Sequence, residues 1–305
     1  MSATLGQTAA MRAPSNGIEI EYETFGDPAD PALLLVMGFT AQLTSWDEAF
    51  CRMLADRGRF VIRFDNRDVG LSTKFDGVEV DMVGLLGALA ARDYSKVPAV
   101  PYTLSAFSDD AFGLLDHLGI ERAHIAGASM GGMIVQTMAI EHPERVLTMT
   151  SIMSTTGNPD VGQAKPEATA ALLAPPPADR AAYVEAAATN WRVFASPRYF
   201  DAAKAKERAA ASYDRSFYPA GGARQLAAIL ASGDRTERLQ ALAVPTLVIH
   251  GRADTLITLS GGEATAAAVP GANLLVCNDM GHDLPEPLWP AVVDAIVSHT
   301  THAIG

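Results

Sequence analysis

Ser129 is the residue of this 305-residue chain whose surroundings point most clearly to chemistry. It lies in Gly-Ala-Ser-Met-Gly at residues 127–131, between a short apolar run and an apolar helical stretch. On such a tight strand-to-helix turn the serine hydroxyl is exposed, and Gly127 and Gly131 leave room for the crowded backbone. The helix N-terminus that follows favours developing negative charge. The pattern therefore predicts a nucleophilic serine, although an ordinary glycine-rich turn can share the five-residue signature.

A serine nucleophile needs a base within hydrogen-bond reach, and that base needs an acid to orient it. Of the seven histidines, His282 is the one in a glycine-flanked loop after the last predicted strand. Asp254 lies in the loop after the preceding strand, while Asp279 and Asp283 flank the histidine as rival acids. Carboxylates so near in sequence seldom have the geometry to support the imidazole. We therefore expect a triad of Ser129, His282 and Asp254.

Two backbone N–H groups are candidates for binding the oxyanion that such a reaction forms. The N–H of Met130 follows the nucleophile directly, and the N–H of Phe39 follows Gly38 at the end of an apolar run, residues 32–37. Amides in these two places stabilise the negative charge that develops when a carbonyl is attacked. An ordinary strand-to-loop turn at Gly38 is the alternative.

The predicted elements that must position these residues alternate between strands and helices. Because they alternate, the sheet should be largely parallel, and the loops at the carboxyl ends of its strands should share one edge. The prediction is an α/β fold with a mostly parallel central sheet flanked by helices. The continuously apolar run at residues 32–37 predicts a strand covered on both faces, and largely apolar runs predict further strands at residues 60–64, 123–126, 146–153, 245–250 and 272–276.

Composition divides the chain into a leader, a core and an insertion. Residues 1–14 are small and polar and predict a flexible leader. Residues 15–153 and 240–305 carry the strand signals of the core. Between them, residues 154–239 are rich in alanine and charged residues and lose the strand signals. This segment predicts an inserted helical cap, or lid.

Charge and cysteine content exclude several classes of function. The net charge of −12 disfavours nucleic acid as a partner, because phosphate binding needs a basic surface. The two cysteines, Cys51 and Cys277, match no metal spacing and fit a reducing compartment. We find no secretory signal and no apolar run of about 20 residues. A cytoplasmic protein that does not span a membrane is expected; nothing predicts its oligomeric state.

Residues 80–91 are apolar nearly all round and allow two interpretations. They form a buried helix, or they provide an apolar wall for an acyl group or a lip that touches lipid. The candidate pocket residues are Leu85 and Leu86 of this stretch, Phe39 in the turn after residues 32–37, and one aromatic residue of the cap, Trp191. In the turn after the second buried strand, Asp65 and Arg67 could be mistaken for catalytic groups. A structural role in ion pairs or turn hydrogen bonds is favoured for them.

The chain resembles the α/β-hydrolase fold family from beginning to end. Residues 32–39, 64–72, 127–132, 250–254 and 281–282 carry the likeness. Residues 26–38 resemble aclacinomycin methylesterases, and the same stretch together with the Ser-Met-Gly-Gly sequence from Ser129 resembles capped actinobacterial lipases and esterases. In one departure from the methylesterases, Phe39 replaces a second small residue and narrows that side of the pocket.

The resemblance implies a carboxylic-ester hydrolase that works through an acyl-enzyme, without a metal or an organic cofactor. Ser129 would be the nucleophile, His282 the base and Asp254 the acid, with the Phe39 and Met130 amides as oxyanion donors. The partner implied is a small-molecule ester; a lipid-like ester and peripheral lipid association stay open. Thioesterase, phospholipase and carbon–carbon bond hydrolase activities remain alternatives on the same triad. A non-catalytic ligand receptor of the same fold is a more remote alternative.

Overall fold

The computed structural model describes residues 11–91, 93 and 96–302. Its strands form one eight-stranded sheet in the order β1-β2-β4-β3-β5-β6-β7-β8. The pairs β1–β2 and β2–β4 are antiparallel, and the other neighbours are parallel, which confirms the predicted mostly parallel sheet. The strands are β1 (Met11–Ser15), β2 (Ile18–Phe25), β3 (Ala32–Val36), β4 (Phe60–Phe64), β5 (Ala123–Ala128), β6 (Val146–Ile152), β7 (Thr246–Gly251) and β8 (Asn273–Cys277).

Helices cover both faces of the sheet, and this explains why the central strand β3 is continuously apolar. Along β3, Leu34 packs in one buried cluster with Phe107 and Ile134, whereas its neighbour Leu35 packs in another with Phe50. Successive side chains of a strand point to opposite faces, so both faces must be apolar when both are covered. The helices outside the insertion are α1 (Glu48–Ala55), α2 (Met82–Ala90), α3 (Leu104–His117), α4 (Met130–Glu141), α10 (Leu259–Ala268) and α11 (Trp289–His302).

The segment predicted as a cap, residues 154–239, consists of helices joined by loops. Within the described part of the chain, residues 154–239 contain no strand. Alanine-rich sequence with charged residues favours helix because alanine has the best intrinsic propensity. The helices are α5 (Pro166–Leu173), α6 (Arg180–Phe194), α7 (Ala202–Arg215), α8 (Ala220–Ser232) and α9 (Thr236–Gln240), the last ending just beyond the segment.

The N-terminal boundary differs from the predicted leader of residues 1–14. Residues 11–14 belong to β1, which pairs with β2 from Met11 opposite Tyr22 to Ser15 opposite Ile18. Ala13 is fully buried there, so the short segment is fixed by pairing and burial despite its weak strand signal. Residues 1–10 lie outside the described residues.

The apolar helix α2 is short, and Leu85 on it is fully buried. Its neighbour Leu86 is 52% exposed, so the two adjacent leucines lie in different surroundings. Among the described helices, none combines the length and the apolar character needed to cross a membrane.

Candidate active site

Ser129 lies on a strained turn between β5 and α4. Its backbone has φ 57° and ψ −120°, a conformation that a residue with a side chain rarely adopts. A Cβ added at Gly127 would lie 2.0 Å from the carbonyl O of Gly131, and one added at Gly131 would lie 2.1 Å from that of Val36. Both positions therefore require glycine, and the tight approach turns Ser129 out of the strand.

The structure brings Ser129, His282 and Asp254 together in one hydrogen-bonded row. The Nε2 of His282 lies 2.9 Å from the Oγ of Ser129, and its Nδ1 lies 2.7 Å from the Oδ2 of Asp254. A carboxylate only accepts hydrogen bonds, so Nδ1 carries the proton and Nε2 is free to accept the serine proton. Asp254 and His282 are buried, which strengthens this interaction, whereas Ser129 is partly accessible.

Backbone contacts hold the acid and the base in place. The Oδ1 of Asp254 accepts the N–H groups of Leu256 and Ile257 at 2.8 and 2.9 Å, which leaves Oδ2 for the histidine. The backbone N–H of His282 donates to the carbonyl O of Phe194 at 2.7 Å, at the end of α6. The base is therefore fixed partly by the inserted segment.

The rival acids have other partners. Asp283 accepts hydrogen bonds from the backbone N–H of Ser196, at 2.9 Å, and from its hydroxyl. Burial raises the pKa of the Asp283 carboxyl, although the bonds from Ser196 oppose this. Asp279 forms an ion pair with Arg198 at 3.0 Å. Of the three acids considered, Asp254 is the one hydrogen-bonded to His282.

The two candidate oxyanion donors lie beside the nucleophile. Met130 is the first residue of α4, and a Cβ added at Gly38, just before Phe39, would lie 3.0 Å from the Cβ of Ser129. None of the hydrogen bonds found among the described residues uses the N–H of Phe39 or Met130 as donor. Among the described residues neither amide is taken up by another acceptor, as an oxyanion donor requires.

The four predicted pocket residues do not all line one cavity. Phe39 is partly buried against the core, and Trp191 is 39% exposed and packs edge-on against Phe194. Trp191 lines a cleft of about 420 Å³ between α6, α7 and residues 283–287. Neither Ser129 nor Phe39 lines that cleft, and neither do the α2 leucines. The cleft is therefore distinct from the row of catalytic candidates.

Asp65 and Arg67 have structural partners, as expected. Asp65 accepts the N–H of Leu43 at 2.7 Å and pairs with Arg215 of α7 at 2.7 Å. Arg67 pairs with Asp110 of α3 at 2.6 Å. Both carboxylates are almost completely buried, so each ion pair compensates a charge that would otherwise be costly.

Two residues of α8, Arg224 and Gln225, contact the turns after β4 and β3, and neither was predicted from the sequence. Arg224 forms two hydrogen bonds of 2.8 Å with the buried carboxylate of Asp68, and Gln225 contacts the turn that contains Phe39. Both lie in an alanine-rich helix whose pattern carried no functional signal. In the described ranges, no group of three or more histidine, cysteine, aspartate or glutamate side chains could hold a metal ion.

The chain matches one known protein family over most of its length. Residues 31–286 match the family described as alpha/beta hydrolase fold. The chain belongs to the α/β-hydrolase fold family. The match covers most of the chain, including the inserted segment and all three residues of the row.

Curated relatives of this α/β hydrolase are hydrolases of several kinds. It is 28% identical over 303 residues to a rhodomycin D methylesterase of Streptomyces sp. (strain C5), covering 92% of this chain and 94% of the relative. It is 27% identical over 248 residues to 3-oxoadipate enol-lactonase 2 of Acinetobacter baylyi, covering 81% and 80%. The first of these agrees with the resemblance to aclacinomycin methylesterases. Together these relatives support a hydrolase.

A solved structure of the same fold is the meta-cleavage product hydrolase CumD of Pseudomonas fluorescens. It superposes with a TM-score of 0.76 at 20% identity and covers 96% of this chain and 98% of that one. At this identity the likeness shows the fold alone, and it confirms the α/β-hydrolase architecture.

Proposed function

We propose that the protein hydrolyses carboxylic esters through an acyl-enzyme on Ser129. The observation that carries the proposal is the continuous row from the Ser129 hydroxyl through the His282 imidazole to the Asp254 carboxylate, with links of 2.9 and 2.7 Å. The spacing fits proton transfer from serine to histidine, and the burial of the acid fits stabilisation of the imidazolium that forms.

The reaction would proceed in two halves. His282 takes the Ser129 proton while Oγ attacks the ester carbonyl, and the Phe39 and Met130 N–H groups stabilise the oxyanion. The tetrahedral intermediate collapses, the C–O bond to the leaving group breaks, and His282 protonates the departing alcohol. Water then attacks the acyl-enzyme with His282 again as base, and the acid and free Ser129 are released.

The substrate proposed is a small ester with an apolar acyl group. The relatives named as methylesterase and enol-lactonase support a carboxylic ester as the substrate, and the apolar acyl group and a pocket narrowed by Phe39 are part of the proposal. Leu85, Leu86 and Trp191 remain proposed pocket residues, with residues 154–239 as the cap. A lipase-like substrate, peripheral lipid association and a cytoplasmic location also remain proposals.

A second candidate is carbon–carbon bond hydrolysis on the same triad. It is favoured by a curated relative, 2-hydroxymuconate semialdehyde hydrolase of Pseudomonas putida, 32% identical over 201 residues. That match covers 62% of this chain, less than the methylesterase match, so ester hydrolysis is preferred. Thioesters and phospholipids are further substrates of the same chemistry.

The test is hydrolysis of p-nitrophenyl esters by the wild-type protein and by Ser129→Ala. We expect the substitution to lower kcat by about 10⁴- to 10⁶-fold, because it removes the nucleophile. A series from acetate to palmitate, run beside an acyl-CoA, a phospholipid and a meta-cleavage product, then ranks the substrate classes.

Two outcomes would contradict the proposal. Equal background rates for wild type and Ser129→Ala would favour the non-catalytic receptor. Turnover of the meta-cleavage product with none of any ester would favour carbon–carbon hydrolysis.

A further inference from the structure

The backbone carbonyl of Ser129 accepts a hydrogen bond from a side chain as well as from the helix that follows it. Its oxygen accepts the N–H of Met133 at 3.2 Å, at the start of α4, and the hydroxyl of Ser154 at 2.8 Å. The bond from Ser154 is the shorter of the two. Ser154 lies just beyond the end of β6 and is only 2% exposed, so its hydroxyl is held beside the nucleophile away from solvent.

The chain adopts a strained conformation immediately before Ser154. Met153 has φ 42° although it carries a side chain, and its N–H donates to the carbonyl O of Ile249 at 2.8 Å. Such a backbone conformation is unfavourable and persists only where the surroundings hold it. On the side of α4, Gly132 provides the space, since a Cβ there would lie 2.4 Å from the Ser154 Cβ and 2.7 Å from its Oγ. The approach of Ser154 therefore explains the second glycine of the Ser-Met-Gly-Gly sequence.

The oxygen that Ser154 contacts belongs to the same peptide group as the Met130 N–H. A trans peptide is planar, and its C=O and N–H bonds point in opposite directions, so the direction of the oxygen fixes the direction of the hydrogen. The Ser154 hydroxyl therefore holds the peptide that carries the proposed oxyanion donor. Donation to the carbonyl also polarises this peptide, which makes its N–H a stronger donor.

We propose that Ser154 is a positioning residue for the oxyanion donor at Met130. Its hydroxyl aligns and polarises the Ser129–Met130 peptide, and this strengthens the bond from the N–H to the oxyanion more than the bond to the neutral carbonyl of the ester. Without the hydroxyl, the peptide keeps its N–H, but the donor is less well aligned and weaker. The inference rests on the proposed function, because it requires an oxyanion to form at Ser129.

Ser154→Ala tests the inference, because it removes the hydroxyl and leaves the rest of the side chain in place. We expect kcat for p-nitrophenyl butyrate to fall about tenfold with KM nearly unchanged. The loss should be smaller than the factor of about 10²–10³ for a deleted donor, since the Met130 N–H is still present. A wild-type kcat in Ser154→Ala would overturn the inference.

Inhibition by a trifluoromethyl ketone distinguishes positioning from a merely structural role. The Ser129 Oγ bonds to the ketone carbon, its proton passes to His282, and the ketone oxygen becomes an oxyanion, so the adduct resembles the tetrahedral intermediate. The Ki of this inhibitor should rise about tenfold in Ser154→Ala, in step with the loss of kcat. The Ki of the corresponding methyl ketone, which binds with a neutral carbonyl, should be nearly unchanged. A lower kcat with an unchanged Ki of the trifluoromethyl ketone, or an equal rise for both ketones, would overturn the inference.

Ser151→Ala is the matched control. Ser151 is a buried serine of β6 that also faces Gly132, but its hydroxyl accepts the Nε2 of Gln136 at 3.3 Å. Among the hydrogen bonds of the described residues, none joins the Ser151 hydroxyl to the Ser129–Met130 peptide. Its kcat and both Ki values should stay at the wild-type values. An equal loss of kcat in the two serine variants would assign the effect to packing against Gly132 and overturn the inference.

Ser129→Ala separates this inference from the proposed function. A wild-type kcat in Ser154→Ala, together with loss of turnover in Ser129→Ala, overturns the inference and still supports the proposed function. Equal rates for wild type and Ser129→Ala overturn both. If Ser154→Ala does not fold, Ser154→Cys keeps a side chain of similar shape with a weaker donor. Its kcat and its affinity for the trifluoromethyl ketone should both fall by about threefold or more, and a smaller change in either would overturn the inference.

Discussion

The strand ends that carry the catalytic candidates differ from residues 154–239, the helical segment that contacts them through Phe194 and His282. Ser129, Asp254 and His282 follow β5, β7 and β8, and near neighbours in sequence shape the turns of the first two. Residues 154–239 instead reach the core through long polar side chains from α7 and α8. The chemistry is thus encoded locally at the strand ends, and its alignment depends on contacts between distant parts of the chain.

Two ion pairs that join residues 154–239 to the core are largely buried. Arg215 pairs with Asp65, and Arg224 pairs with Asp68, a carboxylate that also accepts the hydroxyl of Tyr102. Buried pairs of this kind contribute little net stability when complete, but they are costly to break, because one charge is left unpaired. They therefore fix where α7 and α8 sit. Three substitutions test this difference between the strand ends and residues 154–239.

Asp254→Asn should have the largest effect, and it should act on rate. The asparagine keeps the size of the side chain but no longer holds His282 in the right tautomer, so kcat should fall about 10⁴-fold. Asp279→Asn and Asp283→Asn are matched controls, because their carboxylates pair with Arg198 and Ser196. Steady-state kinetics on one p-nitrophenyl ester would compare the three. A larger loss of kcat in either control would assign the role of the acid to that aspartate instead of Asp254.

Arg224→Met should have the next largest effect, and it should act on stability. It leaves Asp68 buried without its cation, and breaking such a pair costs about 3–5 kcal/mol of unfolding free energy. Urea unfolding measures the change, and Asp68→Asn added to Arg224→Met should recover part of it. Arg180→Met, in an exposed pair with Asp214 on the same segment, should change stability far less. Equal losses in the two arginine variants would contradict the anchoring role of the buried pair.

The buried His124 of β5 should give a smaller effect, a pH dependence of stability that involves no residue of the segment 154–239. Desolvation in β5, with the charges of Arg59 and His299, lowers the pKa of its imidazole to about 4. The unfolded chain takes up the proton near the ordinary value of about 6.5, so it binds more protons than the folded chain between these values. The contribution of His124 to stability should therefore be fully present above that window, and about 3 kcal/mol of it should be lost as the pH falls through the window.

His124→Gln tests that pH dependence. The Nδ1 of His124 lies 2.9 Å from the Oγ1 of Thr148, and glutamine can form a comparable hydrogen bond without a titrating group. Urea unfolding at several pH values between 7 and 4 should give a flatter profile for the variant. An identical slope in both proteins would contradict a neutral, buried His124.

The difference between local turns and long-range contacts also explains which features could be predicted from the sequence. The glycines around Ser129 and the loops of Asp254 and His282 have short-range signatures, so the mostly parallel sheet and the row of three residues could be expected. Gln225 gave no such signal, because its partner Thr40 is 185 positions away. A hydrogen bond over that distance depends on how α8 packs, and no local pattern encodes it.

The N-terminal strand shows a second limit of the same kind. Residues 11–14 have little strand propensity of their own, and they become a strand only because β2 offers an unpaired edge. The burial of the candidate pocket residues on α2 could not be predicted from the sequence either. Leu85 and Leu86 are neighbours in an apolar run, yet one is buried and the other is exposed, since helix orientation is set by tertiary packing.

The most direct test of the central claim is covalent labelling by a fluorophosphonate, followed by peptide mass mapping. The reagent reacts with serines activated by a neighbouring base, so it needs no knowledge of the natural substrate. We expect one adduct, on the peptide containing Ser129, and its loss in both Ser129→Ala and His282→Ala. An unlabelled wild-type protein, or an adduct on another serine, would contradict the assignment of Ser129 as the activated nucleophile.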